Sequence, residues 1–125
     1  MPRHRLPDTR KSLTHKGVIR TNPPTKFFLT AGLFEDGSPG ELFITMNDVD
    51  SPIRGWANTW SIALSMCLQH GVPWAKVKEK FSWQQFDPQG MTDNPKLRVV
   101  KSIPDYAIRW MDMQLVKKPP KREEK

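Results

Sequence analysis

A chain of 125 residues with a net charge of +7, 37% apolar residues, 12 Pro and 7 Gly suits one compact domain with a single substantial core. No run of about 18 apolar residues is present, which argues against a membrane span. Cys67 is the only cysteine, which excludes an internal disulfide and a Cys-rich zinc site. The opening Met1-Pro2-Arg3-His4-Arg5 runs into charge rather than an apolar stretch, so no secretory signal is expected and the cytoplasm is the expected location.

The charge is concentrated at the ends. Residues 1–26 carry seven Lys/Arg against Asp8, and residues 117–125 carry five against two Glu, while the span between holds eight basic and ten acidic residues. Basic ends attract phosphate or an acidic protein surface, or are simply solvated tails. The candidate contacts are Arg3, Arg5, Arg10, Lys11, Lys16, Arg20, Lys117, Lys118, Lys121 and Arg122.

In chain order, residues 1–24 show little periodicity and end in Asn22-Pro23-Pro24, so they read as a basic arm partly packed on the fold, with a short strand near Gly17-Val18-Ile19. Lys26 to Phe34 and Glu41 to Met46 are strand-like and meet through Glu35-Asp36-Gly37-Ser38-Pro39-Gly40, which predicts an antiparallel hairpin. Such a hairpin needs one face covered. Ser51-Pro52 marks a helix start, with an apolar stripe through Trp56, Trp60, Ala63, Leu64, Cys67 and Leu68 and a stop at His70-Gly71. A short helix follows from Pro73 to Phe81, with Trp74, Val77 and Phe81 as its apolar side. Residues 82–98 are broken by Pro88, Gly90 and Pro95, and a brief strand is expected around Leu97 to Val100. The last helix opens on Ser102 and Asp105, a capping pair, and buries Ile103, Ala107, Trp110 and Met111 with Tyr106 at the stripe's edge. After Val116 nothing apolar anchors the chain, and residues 117–125 are expected to be a disordered basic tail. The expected architecture is α+β: an antiparallel hairpin or small sheet packed against two or three helices, with the compact domain over residues 25–116.

Chemistry-bearing groups are few and scattered. His4 and His15 lie in the arm, and His70 shares only Cys67 at a three-residue spacing, with no second pair for zinc. Asp48-Val49-Asp50-Ser51 lacks the full ligand series of a cation loop and reads as turn and cap. Gly32, Gly37, Gly40 and Gly55 form neither a phosphate loop nor a dinucleotide fingerprint. No catalytic, cofactor-binding or metal-binding residue is therefore assigned. Phe28, Trp74 and Trp83 are candidate interface aromatics, since strand alternation lets only one of Phe27 and Phe28 face the core. An exposed Phe beside basic residues would equally serve base stacking.

Several segments resemble one family in order and spacing: Arg5-Leu6-Pro7-Asp8-Thr9-Arg10 with Thr14 and Lys16, Ala31 to Ile44, Ile62 to Pro73, Phe81-Ser82, Phe86 to Gly90, Asn94-Pro95, Lys101 to Tyr106, and Arg109-Trp110. Over residues 5–115 the chain resembles the C-terminal domain of adenosylcobalamin-dependent (vitamin B12-dependent) ribonucleotide reductases, a module grouped with domains named for a Thr-Ser-Cys-Pro-Asp motif. The resemblance implies that radical-bearing and substrate-reducing cysteines and the cobalamin site belong to a catalytic barrel absent from this chain, and a further cysteine pair to a mobile tail. Lys101-Ser102-Ile103-Pro104-Asp105 stands at the name-giving motif, with Ile103 in place of its cysteine. The implied function is a non-catalytic accessory or protein-interaction module, detached, viral or standing beside a split reductase, with a reductase subunit or a host protein as partner. The alternative is a small nucleic-acid-binding protein using basic arms and exposed aromatics. A homodimer through an open strand edge is a further expectation.

Overall fold

The computed structural model describes residues 3–46 and 52–115. Three antiparallel strands form a meander in the order β1 (Ser12–Ile19), β2 (Thr25–Leu33) and β3 (Pro39–Thr45). The expected hairpin is β2 and β3. The turn between them is fixed by Asp36, whose Oδ1 accepts from Ser38 N at 2.9 Å, and by Gly37 at φ 87°, where a side chain would be strained. The strand expected only around Gly17 to Ile19 is longer, because the whole of Ser12–Ile19 pairs with β2. Its first half is mostly polar and mostly exposed, and pairing with the aromatic-rich β2 imposes the extended form there.

Alternation along β2 buries Phe27, Leu29 and Ala31 and leaves Phe28 exposed. Gly17 lies opposite Phe27, and a Cβ built there would sit 2.5 Å from the Phe27 ring. That ring is buried edge-on against Tyr106, with centroids 5.1 Å apart, so it has little room to yield. Gly17→Ala is expected to lower stability by about 1–3 kcal/mol through overpacking, read as a lower urea midpoint with an unchanged slope.

Helix α1 (Pro52–Gln69) runs along the open edge of β3. Ser65 Oγ accepts from Leu42 N at 2.9 Å, and Gln69 Nε2 donates to Gly40 O at 3.0 Å, so the helix supplies partners to strand groups that no fourth strand reaches. This close approach corrects the expected stripe. The buried side is Ala57, Ser61, Leu64, Leu68 and Gln69, while Trp56 is 74% exposed, Ala63 is exposed, and Trp60 and Cys67 are half-buried. Small residues face the strand because a bulky one would hold the helix away. The helix stops at Gly71, at φ 86°, as its glycine signal predicts.

α2 (Trp74–Phe81) buries Val77 and packs Trp74 and Phe81 against the core. A two-stranded ladder, β4 (Gly90–Met91) with β5 (Val99–Val100), precedes α3 (Ile103–Gln114). α3 is the most deeply buried helix. Tyr106, expected at its edge, is fully buried with Ile103, Ala107, Ile108, Trp110 and Met111, because it reaches the inner face of the sheet. The Ser51 cap, the Asp48 and Asp50 turn and the tail from 117 to 125 lie outside the described residues.

Candidate interaction site

The start of α3 organises an unusual stretch of backbone. Ser102 Oγ accepts from Asp105 N at 3.1 Å, the N-cap that the sequence predicts. The Asp105 carboxylate is turned away from that exchange and fully buried. Its Oδ1 accepts from Trp83 N at 2.7 Å, and its Oδ2 accepts from Lys101 N at 2.9 Å and Arg109 Nη1 at 3.2 Å. Arg109 also donates to Val99 O at 3.1 Å and lays its guanidinium over the Trp83 indole, 4.1 Å from the ring centroid.

Trp83 has φ 66°, the only non-glycine residue with positive φ among the described residues, and it is 57% exposed. A bulky residue in that conformation costs free energy, which the bond to Asp105 offsets. The result is a large side chain held out to solvent at a fixed angle. Beside it, Phe86 N donates to Lys101 O at 3.0 Å, and the exposed Phe86 ring joins Ile53, Trp56, Pro88, Ile103 and Pro104 around an apolar cavity of about 140 Å³. Ile103, at the position of the motif's cysteine, therefore lines apolar surface. Trp74 is held differently: it is half-buried, and its Nε1 donates to Asp112 Oδ1 at 2.9 Å.

The basic candidates separate into two groups. Arg3 Nε donates to Gln69 Oε1 at 2.7 Å, Arg10 pairs with Glu41 at 2.7 Å, and Arg20 grips both Asp93 oxygens. Arg5, Lys11 and Lys16 are exposed and make no salt bridge among the described residues. Lys117, Lys118, Lys121 and Arg122 lie outside the described residues. Gly32 explains how Glu41 reaches Arg10, since a Cβ on Gly32 would meet the Glu41 carboxylate and its Cγ.

His15 is drawn inward by strand alternation. Its Nε2 lies 2.7 Å from the Tyr106 hydroxyl, and its ring stacks on Trp110 at 5.1 Å. Burial holds the imidazole below its ordinary pKa of 6.5 and pushes the Tyr106 phenol above 10. With a folded pKa below the unfolded one, the contribution of neutral His15 is full above about pH 6.5 and is lost as pH falls below that value. The urea midpoint is expected to drop between about pH 7.5 and pH 5, and to drop less in His15→Gln.

Neither Cys67, half-buried and free, nor His70 joins a metal set; no group of three or more His, Cys, Asp or Glu fit to hold a metal ion occurs among the described residues. No helix among them is long and apolar enough to cross a membrane.

The family model for the TSCPD domain matches residues 3–115, which include the capped Ser-Ile-Pro-Asp turn and the groups it holds. The chain belongs to the TSCPD domain family. A vitamin B12-dependent ribonucleotide reductase of Rhodopirellula baltica is 46% identical over 109 residues, which cover 87% of this chain and 10% of the reductase. The corresponding reductases of Bradyrhizobium diazoefficiens and Streptomyces avermitilis are 35% and 36% identical, covering 86% and 91% of this chain and 8% and 12% of theirs. The chain thus spans about a tenth of the length of these curated relatives. No solved structure matches it. Within the TSCPD domain, sequence reasoning found the Ser102 cap but missed what Asp105 holds. The available signal was Arg109, four residues beyond Asp105 on one helix face.

Proposed function

We propose that this TSCPD domain is an accessory module without a catalytic centre of its own, which binds a B12-dependent ribonucleotide reductase chain through the face around Trp83. The observation that carries this reading is an exposed indole fixed in a costly backbone conformation by a fully buried carboxylate and covered on one side by Arg109. Pre-ordered Trp and Arg are the residue types that dominate binding energy at protein interfaces, since little side-chain freedom remains to be lost on docking. Phe86 and the adjoining apolar cavity extend that face. The names of the relatives support a reductase polypeptide as the partner.

The test is calorimetric titration of this chain into a purified B12-dependent reductase from which the matching segment has been removed. Saturable binding that survives nuclease treatment is expected. No heat of binding to that reductase would overturn the reading. The nucleic-acid alternative predicts instead an affinity for oligonucleotides that falls steeply with salt. Arg3, Arg10 and Arg20 weigh against it, because their guanidinium groups are engaged within the fold.

A further inference from the structure

We propose that the pocket at the outer edge of β1 binds the phosphate group of a small phosphomonoester. The pocket shares no lining residue with the Trp83 face, so the inference is independent of the docking reading. Its volume is about 360 Å³, in the range of small-ligand sites, and its polar lining comes from His15 and Lys16 of β1, the Asn94 to Lys96 turn, and Tyr106 and Gln114 of α3.

The hydrogen bonds of Asn94 consume its acceptor and leave a donor. Asn94 Oδ1 accepts from Lys96 N at 2.9 Å, which turns the Asn94 amide nitrogen toward the Tyr106 hydroxyl at 3.4 Å. The phenol oxygen accepts that bond and lies 2.7 Å from His15 Nε2, which leaves His15 Nδ1 as the ring nitrogen not bonded to Tyr106. Asn94 thus keeps one N–H that no acceptor among the described residues takes up.

Charge points the same way. Asp93, the one carboxylate lining the pocket, has both oxygens in the Arg20 fork at 2.6 and 2.5 Å. Lys16 and Lys96 both line the pocket and form no salt bridge among the described residues. Two ammonium groups beside the neutral Asn94 N–H suit a doubly charged oxyanion with three acceptor oxygens, which a phosphomonoester presents near neutral pH. A monocarboxylate would leave one lysine uncompensated. Six arm cations are candidates for phosphate contact by charge alone, and the fold brings only Lys16 of these to the pocket.

The test is an NMR titration of the 125-residue chain at low salt, with inorganic phosphate and ribose 5-phosphate as separate probes. Saturable amide shifts confined to the surroundings of His15, Lys16, Asn94 and Lys96 are expected with the ester. The double variant Lys16→Gln/Lys96→Gln should bind about tenfold more weakly or worse, whereas Lys11→Gln/Lys26→Gln should bind as the parent does. Both pairs are exposed, so unchanged thermal midpoints will confirm that the variants fold. Shifts that spread over Arg5, Lys11 and Lys26 without saturating would overturn the proposal, as would equal affinity in the two double variants. Saturation by free phosphate without uptake of the ester would overturn the assignment of a phosphomonoester.

Discussion

Asp105→Ala is expected to cost about 3–5 kcal/mol, the largest effect of any single polar substitution in this domain. The carboxylate has no exposed surface and serves three donors: Trp83 N, Lys101 N and the Arg109 guanidinium. Its removal strands the backbone N–H groups of Trp83 and Lys101 and leaves the Arg109 guanidinium donating, among the described residues, to Val99 O alone. Asp105→Asn should fall between parent and Ala, because an amide keeps one acceptor but turns a donor toward an N–H. Urea unfolding of the three proteins measures this directly, and an Ala variant within about 1 kcal/mol of the parent would show that water takes over the carboxylate's role.

Trp83→Asn is expected to separate binding from stability. Truncating a central Trp at an interface commonly costs about 2 kcal/mol or more, close to a 30-fold loss of affinity for the reductase partner. The folded state loses the stacking of Arg109, worth about 0.5–1 kcal/mol at an exposed site. It also sheds the strain of holding an indole at φ 66°, of order 1–3 kcal/mol, in a conformation Asn tolerates. Stability should therefore stay within about 1 kcal/mol of the parent or rise, while binding collapses. Equal losses in both would place Trp83 in the scaffold and not at the interface.

The parts of this fold legible in the sequence are those with a local cause. Asp36 and Gly37 announce the hairpin turn, Gly71 the end of α1, and Ser102 the start of α3, because each acts on backbone within a few residues. The misread parts have non-local causes. Trp56, Trp60, Ala63, Leu64, Cys67 and Leu68 satisfy a helical spacing as well as Ala57, Ser61, Leu64 and Leu68 do, and only the approach of α1 to β3 selects the second set. Ser12 to Lys16 carry no apolar run, since an edge strand with much exposed surface does not require one. Tyr106 reads as a boundary residue until His15 and Asn94 supply partners for its hydroxyl.

Of the three aromatics the sequence offers for an interface, Phe28 and Trp83 are exposed, while Trp74 is half-buried with its indole nitrogen bonded to Asp112. Nothing local marks Trp83 for the left-handed region, since tryptophan is among the residues least expected there. The conformation follows from Asp105, 22 residues further along the chain.

Hydrogen–deuterium exchange of this chain, alone and with the truncated B12-dependent reductase, tests the central claim most directly. The account predicts added protection over residues 80–86 and 99–109, centred on Trp83, with the exposed face of the sheet around Phe28 and Phe43 unchanged. Protection confined to that sheet face, or none at saturating reductase, would contradict it.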